Sequence, residues 1–219
     1  MKVVIVGGVA GGATAAARLR RLDEKAEIVV LERSGFVSYA NCGLPYYIGG
    51  VIEDQAELTL QTPESFYERF RVQMKVHHEV TAIDRTAKTV TVHNLETGET
   101  FAESYEKLLL APGAQPTRPP LPGVELDRLF TLRTVEDTLR IRRFVEEQHP
   151  RSAVLAGGGF IGLELAENLR ELGLDVTIVQ RPKHLMNPFD PDMAALLHTE
   201  VRAHGVHLAL GHTVEGFTG

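Results

Sequence analysis

Two stretches of this sequence spell the same local geometry, one at the start and one past the middle. In the first, the β-branched run Val3-Val4-Ile5-Val6 enters Gly7-Gly8-Val9-Ala10-Gly11-Gly12 and continues as an Ala-rich amphipathic stretch to Leu22. In the second, Ala153-Val154-Leu155-Ala156 enters Gly157-Gly158-Gly159-Phe160-Ile161-Gly162, and Leu163, Leu165, Ala166, Leu169 and Leu172 follow at helical spacing. Each reads as strand, tight turn and helix, and the two align residue on residue across the turn. One glycine-rich turn constrains little, because such turns are common. Two, each with a strand before and a helix after, predict an α/β chain with two nucleotide-binding units.

A helix that starts at such a turn offers unpaired N–H groups and a positive dipole end to a pyrophosphate. Gly7 permits the turn, and Gly12 lets helix and strand approach. The middle glycine of the usual pattern is Val9, so phosphates are expected over Gly8, Ala10 and Gly11. A second strand over 26–31 ends in Glu32, where a carboxylate accepts both hydroxyls of an adenosine ribose. The later copy departs here: Val176-Thr177-Ile178-Val179 ends in Gln180-Arg181, with Lys183 close by. A neutral amide beside two cations tolerates a ribose 2′-phosphate that a carboxylate repels, which makes NADPH as reasonable as NADH. The competing reading takes Arg181 and Lys183 as solvated loop charges.

The chain has one cysteine, Cys42, in the run Ser38-Tyr39-Ala40-Asn41-Cys42-Gly43-Leu44-Pro45. Read as the start of a helix, this position favours a thiolate and makes the sulfur nucleophilic. A buried structural cysteine is the alternative. One unpaired cysteine argues against a disulfide scaffold and for a reducing, cytoplasmic compartment.

Between the two turns, Thr62-Pro63-Glu64-Ser65-Phe66 reads as a helix start and His78-Glu79-Val80 as the end of a strand. Lys88 to His93 and Thr100 to Tyr105 form a predicted antiparallel hairpin around Glu96-Thr97-Gly98-Glu99, and Leu108-Leu109-Leu110 a buried strand. Pro116, Pro119, Pro120 and Pro122 mark a linker, which puts a domain boundary at 115/116. The net charge of −6 over 219 residues gives no reason to expect a nucleic-acid partner. No apolar run approaches membrane-spanning length, no export signal precedes the first strand, and the nine scattered histidines show no metal-ligand spacing.

The stretches GGVAGGATAAARLRRLDE, FVSYANCGLPYYIGG, TPESFYERF, HHEV, YEKLLLAPGA, TLRTVEDT and GGGFIGLELAENL resemble the flavin-dependent pyridine nucleotide–disulfide oxidoreductases. Within that family they resemble the single-cysteine branch, which contains the coenzyme A-disulfide reductases and the NADH oxidases and peroxidases. The resemblance implies two Rossmann-like three-layer domains arranged as in glutathione reductase, both incomplete here: an FAD-binding part over 1–115 and an NAD(P)-binding part over 116–219. It adds Arg33, Val80, Ala111 and Gly113 to the positions expected around FAD, and Arg133, Gly157, Gly159, Phe160, Ile161, Gly162, Glu164, Gln180 and Arg181 to those around NADPH or NADH. Ile161 and Glu164 would flank the nicotinamide.

Two positions choose among branches. The dithiol members carry a second cysteine five residues after the first, where this chain has Tyr47, so Cys42 pairs with an external thiol or is oxidised to a sulfenic acid. The peroxide- and oxygen-reducing members place a histidine in the first glycine turn, where this chain has Ala10, which favours a thiol substrate. By resemblance that substrate, coenzyme A disulfide or a related small disulfide or persulfide, lies along Thr14, Arg21, Ser38 and Asn41. Arg21 would meet a phosphate bidentately, or is an ordinary surface arginine in the run Arg18, Arg20, Arg21. A position usually lysine in the family is Phe70, flanked by Arg69 and Arg71.

The implied cycle passes electrons from NAD(P)H through FAD to a mixed disulfide between Cys42 and coenzyme A. Full-length members continue past this point, with a Thr…Ala-x-Gly-Asp segment for the flavin and a homodimerisation domain. The chain therefore reads as the N-terminal part of such an enzyme, or as a nucleotide-binding module without turnover.

Overall fold

The computed structural model describes residues 1–218. The chain runs β1 (Lys2–Val6), α1 (Ala10–Leu22), β2 (Glu27–Leu31), α2 (Leu44–Ile48), α3 (Pro63–Phe70), β3 (Gln73–Lys75), β4 (His78–Asp84), β5 (Thr89–Asn94), β6 (Thr100–Ser104) and β7 (Lys107–Leu110). It continues with α4 (Val135–Gln148), β8 (Ser152–Ala156), α5 (Phe160–Glu171), β9 (Asp175–Gln180), α6 (Pro191–Ala203) and β10 (His207–Leu210). Two compact units result: Met1–Ala40 with Ala56–Gln115, and Asn41–Gln55 with Pro116–Gly219. The stretch Asn41–Gln55, expected in the first part, groups with the second unit.

The first unit is built on a parallel sheet in the order β3-β2-β1-β7. Successive strand residues point to opposite faces. On one face Val3, Ile5, Ile28 and Val30 pack with Ala13, Ala16 and Phe66; on the other Val4, Val29 and Leu31 pack with Val90 and Val92 of the antiparallel sheet β4-β5-β6. Burial on both faces is why β1 is apolar from Val3 to Val6 instead of alternating. Thr62 and Ser65 cap α3 reciprocally: Ser65 N–H donates to Thr62 Oγ1 at 3.2 Å, and Thr62 N–H to Ser65 Oγ at 2.9 Å. Arg20 fastens the end of α1, donating to the carbonyls of Phe70, Glu24 and Ala26 at 2.8, 2.6 and 2.7 Å.

Two expectations need correction. His78-Glu79-Val80 begins β4 and does not end a strand, because His77 turns the chain with φ +56° between β3 and β4. The hairpin is thus the second half of a three-strand meander, with an irregularity between Val80 and Ala82 where β4 meets β5. Thr81–Asp84 is exposed along its length and carries no apolar alternation to read. Leu108-Leu109-Leu110 does form β7, parallel to β1, but it is only partly buried and Leu110 is 57% exposed.

The second unit has a parallel sheet in the order β10-β9-β8. Its core joins Ile141, Leu165, Leu169, Val176, Ile178 and Leu185 with Ile48 of α2. Three contacts hold the α2 segment: Arg142 Nη1 donates to the carbonyls of Tyr47 and Ile52 at 3.1 and 3.4 Å, its guanidinium lies 4.2 Å from the Tyr47 ring centroid, and Gly49 abuts Asn168. A Cβ on Gly49 would come within 2.1 Å of Asn168 Oδ1, so α2 and α5 meet only because this residue has no side chain. Among the described residues no helix is long and apolar enough to cross a membrane.

Candidate functional site

The first glycine turn leaves no room for a side chain at Gly7 or Gly12. Gly7 has φ +98°, and a Cβ there would lie 2.0 Å from the Ala111 carbonyl oxygen; one on Gly12 would lie 1.7 Å from the Gly7 carbonyl oxygen. Gly8 N–H donates to Glu32 Oε2 at 2.7 Å and Ser34 N–H to Glu32 Oε1 at 2.8 Å. Each carboxylate oxygen keeps a further lone pair, which suits two vicinal hydroxyls. No side chain caps α1, whose first turn runs through Ala10, Gly11 and Gly12. Its leading N–H groups are the donors that a pyrophosphate takes. Gly7, Gly8, Ala10, Gly11, Gly12, Glu32 and Ala111 come together here, and Gly113 follows with φ +73°. Arg33 is exposed with Nη1 3.5 Å from Glu79 Oε1, next to Val80 at the start of β4.

The second turn repeats this in the other unit. Gly157 has φ +116°, and a Cβ on Gly162 would lie 2.1 Å from the Gly157 carbonyl oxygen. Gly158 N–H donates to Gln180 Oε1 at 2.9 Å, as Gly8 does to Glu32. Gly159 precedes α5 without a side-chain cap, and Phe160 and Ile161 are exposed on its first turn, 65% and 47%. Burial, then the nearby Glu167 charge, pushes the Glu164 carboxyl up. Arg133 donates its backbone N–H to Asp137 Oδ2 at 3.0 Å, in the cap of α4.

Ser38 adopts φ +47°, donates its N–H to the Gly8 carbonyl at 3.0 Å and accepts Leu60 N–H at 3.1 Å. These bonds wall a cavity of about 470 Å³ in the first unit, lined by Thr14, Arg21, Ser38, Phe66, Arg69 and Phe70 among others. Three of the four expected substrate positions therefore converge; Asn41 falls in the segment that groups with the second unit. Arg21 faces the cavity while its neighbour Arg20 is spent on backbone carbonyls. Arg69 joins the lining, whereas the Arg71 guanidinium lies 5.3 Å from the Tyr67 ring. The spacing Phe66, Arg69, Phe70 on one helix was the signal for it.

Cys42 is free and exposed. It sits in a 3₁₀ turn, Asn41–Gly43, followed by an α2 of only 5 residues, so the expected helix dipole is a short one. Tyr46 lies in its electrostatic neighbourhood: burial, then the charges of Glu167, Glu164 and Cys42, pushes the phenol up. Among the described residues no cluster of three metal-ligating side chains exists.

Two glycine turns, each with an acceptor side chain at the end of the following strand, define a protein of two dinucleotide-binding folds. More narrowly, the chain belongs to the pyridine nucleotide-disulphide oxidoreductase family, whose description matches residues 1–219. It is 42% identical over 205 residues to the coenzyme A disulfide reductase of Staphylococcus epidermidis, covering 94% of this chain and 46% of that one. Reduced Bacillus anthracis CoADR-RHD superposes with a TM-score of 0.96 at 49% identity, over 98% of this chain and 39% of that one. An engineered water-forming NADPH oxidase bound to NADPH superposes with a TM-score of 0.93 at 34% identity, over 100% of this chain and 48% of that one. The chain spans about half the length of the curated relatives it matches.

Proposed function

We propose that the chain is the nucleotide-binding and thiol-bearing part of an NAD(P)H-dependent FAD disulfide reductase, acting on coenzyme A disulfide or a similar small disulfide. One observation carries the reading: the only cysteine is free and exposed, and it follows directly on the segment whose Ser38 lines a cavity with Arg21 and Arg69. Two guanidinium groups beside the rings of Phe66 and Phe70 suit a ligand that is anionic at one end and apolar or aromatic along its length.

The first glycine turn and Glu32 would hold the FAD pyrophosphate and ribose, and the second turn the nicotinamide nucleotide. Bound FAD supplies the relay that takes a hydride from the nicotinamide and gives an electron pair to sulfur. The chain's own step is thiol–disulfide exchange. Cys42 thiolate attacks one sulfur of the substrate; a new S–S bond forms as the old one breaks, and one thiolate leaves. Cleavage of that mixed disulfide needs two electrons, which the bound nucleotides would supply; it would release the second thiolate and restore Cys42 as a thiolate. Tyr46 and Glu164 stand in the same unit as Cys42, and burial pushes the pKa of each up. A second subunit in the full-length enzyme and a cytoplasmic, reducing setting belong to the same reading.

The test is the visible spectrum and turnover of the FAD-loaded protein. A long-wavelength thiolate-to-flavin band and NAD(P)H oxidation with coenzyme A disulfide are expected, and both vanish in Cys42→Ser, turnover by about three orders of magnitude. A chain that binds neither nucleotide, or a Cys42→Ser variant with full disulfide turnover, overturns the proposal.

A further inference from the structure

The stretch that bears Cys42 is short and is held from outside. From Asn41 to Ile52 it carries no acidic or basic residue, and its helix α2 has 5 residues, too few to be stable alone in water. Leu44, Tyr47 and Ile48 are buried while Cys42 is exposed. Their spacing puts these three on one face, and α2 packs against α4 and α5. Apolar burial is non-directional, so it settles which face of α2 turns inward but not how far the helix slides along its neighbours.

The directional bonds come from one residue of α4. Arg142 Nη1 donates to the Tyr47 carbonyl at 3.1 Å and to the Ile52 carbonyl at 3.4 Å, so one nitrogen ties the end of α2 to the chain that leaves it. That chain already folds back on the helix, with Val51 and Ile52 N–H donating to the Tyr46 carbonyl at 3.0 and 3.2 Å. The guanidinium lies 4.2 Å from the Tyr47 ring centroid, and Arg142 Nε donates to Glu146 Oε1 at 2.8 Å, one turn along α4. A cation beside the carbonyl end of a helix opposes the partial negative charge there. Carboxylate, carbonyls and ring together fix the guanidinium plane, and a lysine ammonium has no plane to share among them. The other end of the tether is firm: α4 is capped reciprocally by Thr134 and Asp137 and buries Val135, Thr138 and Ile141.

We infer that Arg142 is a positioning residue for Cys42: by tying the carbonyl end of α2 to α4, it fixes where the sulfur stands for attack on a disulfide. The inference rests on the proposed reading of Cys42 as the exchanging thiol. The 3₁₀ turn Asn41–Gly43 runs into Leu44–Ile48 without a break, so a shift at Tyr47 is carried to Cys42. Attack on sulfur requires the thiolate to lie in line with the bond that breaks, and a displacement of about 1 Å costs on the order of a hundredfold in rate. The hydrogen bonds of the Arg142 side chain end on Tyr47, Ile52 and Glu146, so its part in the exchange is geometric.

The test compares two rates at Cys42 in the reduced full chain, both followed by mass spectrometry: mixed-disulfide formation with coenzyme A disulfide, and alkylation by iodoacetamide. In the first, a bond forms between Cys42 Sγ and one half of the disulfide while the other half leaves as coenzyme A thiolate, so no outside electrons are needed. Both rates scale with the thiolate fraction, and their ratio cancels any change in it. Iodoacetamide is small enough to reach an exposed sulfur without alignment by the protein. Arg142→Met keeps the apolar stem and removes the guanidinium; the ratio of exchange to alkylation is expected to fall at least about fivefold. Arg142→Lys, which keeps the charge and a donor, is expected to lower it by less, at least about twofold. A smaller fall in a folded Arg142→Met, or in Arg142→Lys should the methionine variant not fold, overturns this inference alone. A ratio for the unmodified chain no higher than that of glutathione overturns the reading of Cys42 as the exchanging thiol, and this inference with it.

Discussion

The two glycine turns are copies in outline and different in surroundings. Both bend through a glycine with positive φ, Gly7 and Gly157, and both bring a sixth-position glycine, Gly12 or Gly162, against the carbonyl of the first. In the first unit Ala111 crosses directly over Gly7, so the turn is packed from outside. Around Gly157 nothing lies within 4 Å of where a Cβ would be, and the corresponding packing falls on Gly158 through Leu185. The same backbone device is therefore braced from one side in the first unit and from its following loop in the second. The brace decides which positions tolerate change.

The largest effect that tests this comparison is a pair of substitutions. Gly7→Ala is expected to cost about 4 kcal/mol or more, because backbone must move as well as adopt an unfavourable φ; Gly157→Ala is expected to cost only the conformational penalty, about 1–2 kcal/mol. Denaturant unfolding of both variants reads the difference, and equal losses would remove the distinction between the two braces. Next comes Glu32→Gln. One acceptor for Gly8 N–H survives, but Ser34 N–H faces an amide donor in place of an oxygen, for an expected loss of about 1–2 kcal/mol and weaker FAD retention.

A smaller effect sits where β1, β3 and β6 meet. Burial raises the Glu103 carboxyl, but hydrogen bonds from Lys2 at 2.7 Å and Lys75 at 3.1 Å outweigh it and hold the group below its usual range. A depressed folded pKa contributes stability above the ordinary carboxylate range and loses it as pH falls through the folded value. Glu103→Gln is thus expected to lose on the order of 1 kcal/mol at neutral pH and almost nothing in strong acid, measured by unfolding at several pH values.

The smallest effect belongs to the second brace. Burial, then Arg202 and His184, hold His198 below the ordinary imidazole range, so the neutral ring that accepts Leu185 N–H is the folded form. Its contribution is intact above about pH 6.5 and is lost as pH falls toward the folded value. Exchange of the Leu185 amide, corrected for its intrinsic rate, is expected to quicken over that window by about threefold. An unchanged exchange rate would remove His198 from the set of fasteners.

What could be read from the sequence followed from how much local chemistry each element carries. The runs Val3–Val6 and Ala153–Ala156 with their glycines announce themselves, since a buried parallel strand needs apolar residues on both faces and the turn needs φ values that glycine supplies. Strand β4 did not, because Thr81–Asp84 faces solvent and is held by pairing with β5, which leaves no trace in its own residue types. Arg20 and Arg21 look alike in sequence, and only the 100° step between neighbours on a helix sends one to the backbone carbonyls and the other to the cavity. The home of Asn41–Gln55 was hidden for a related reason. Leu44, Tyr47 and Ile48 declare an apolar face, but nothing local says which helices it covers.

The chain passes between its units at 40/41, 55/56 and 115/116, which makes a single cut a poor division of this molecule. A fragment beginning at Pro116 would lack Leu44, Tyr47 and Ile48 and leave bare the sides of α4 and α5 that they cover. Recombining such proteins by exchanging their later halves would for the same reason separate the sulfur-bearing stretch from the scaffold that fits it. The two nucleotide folds are modular only once that insert is counted with the second, so Cys42 is inherited with that unit.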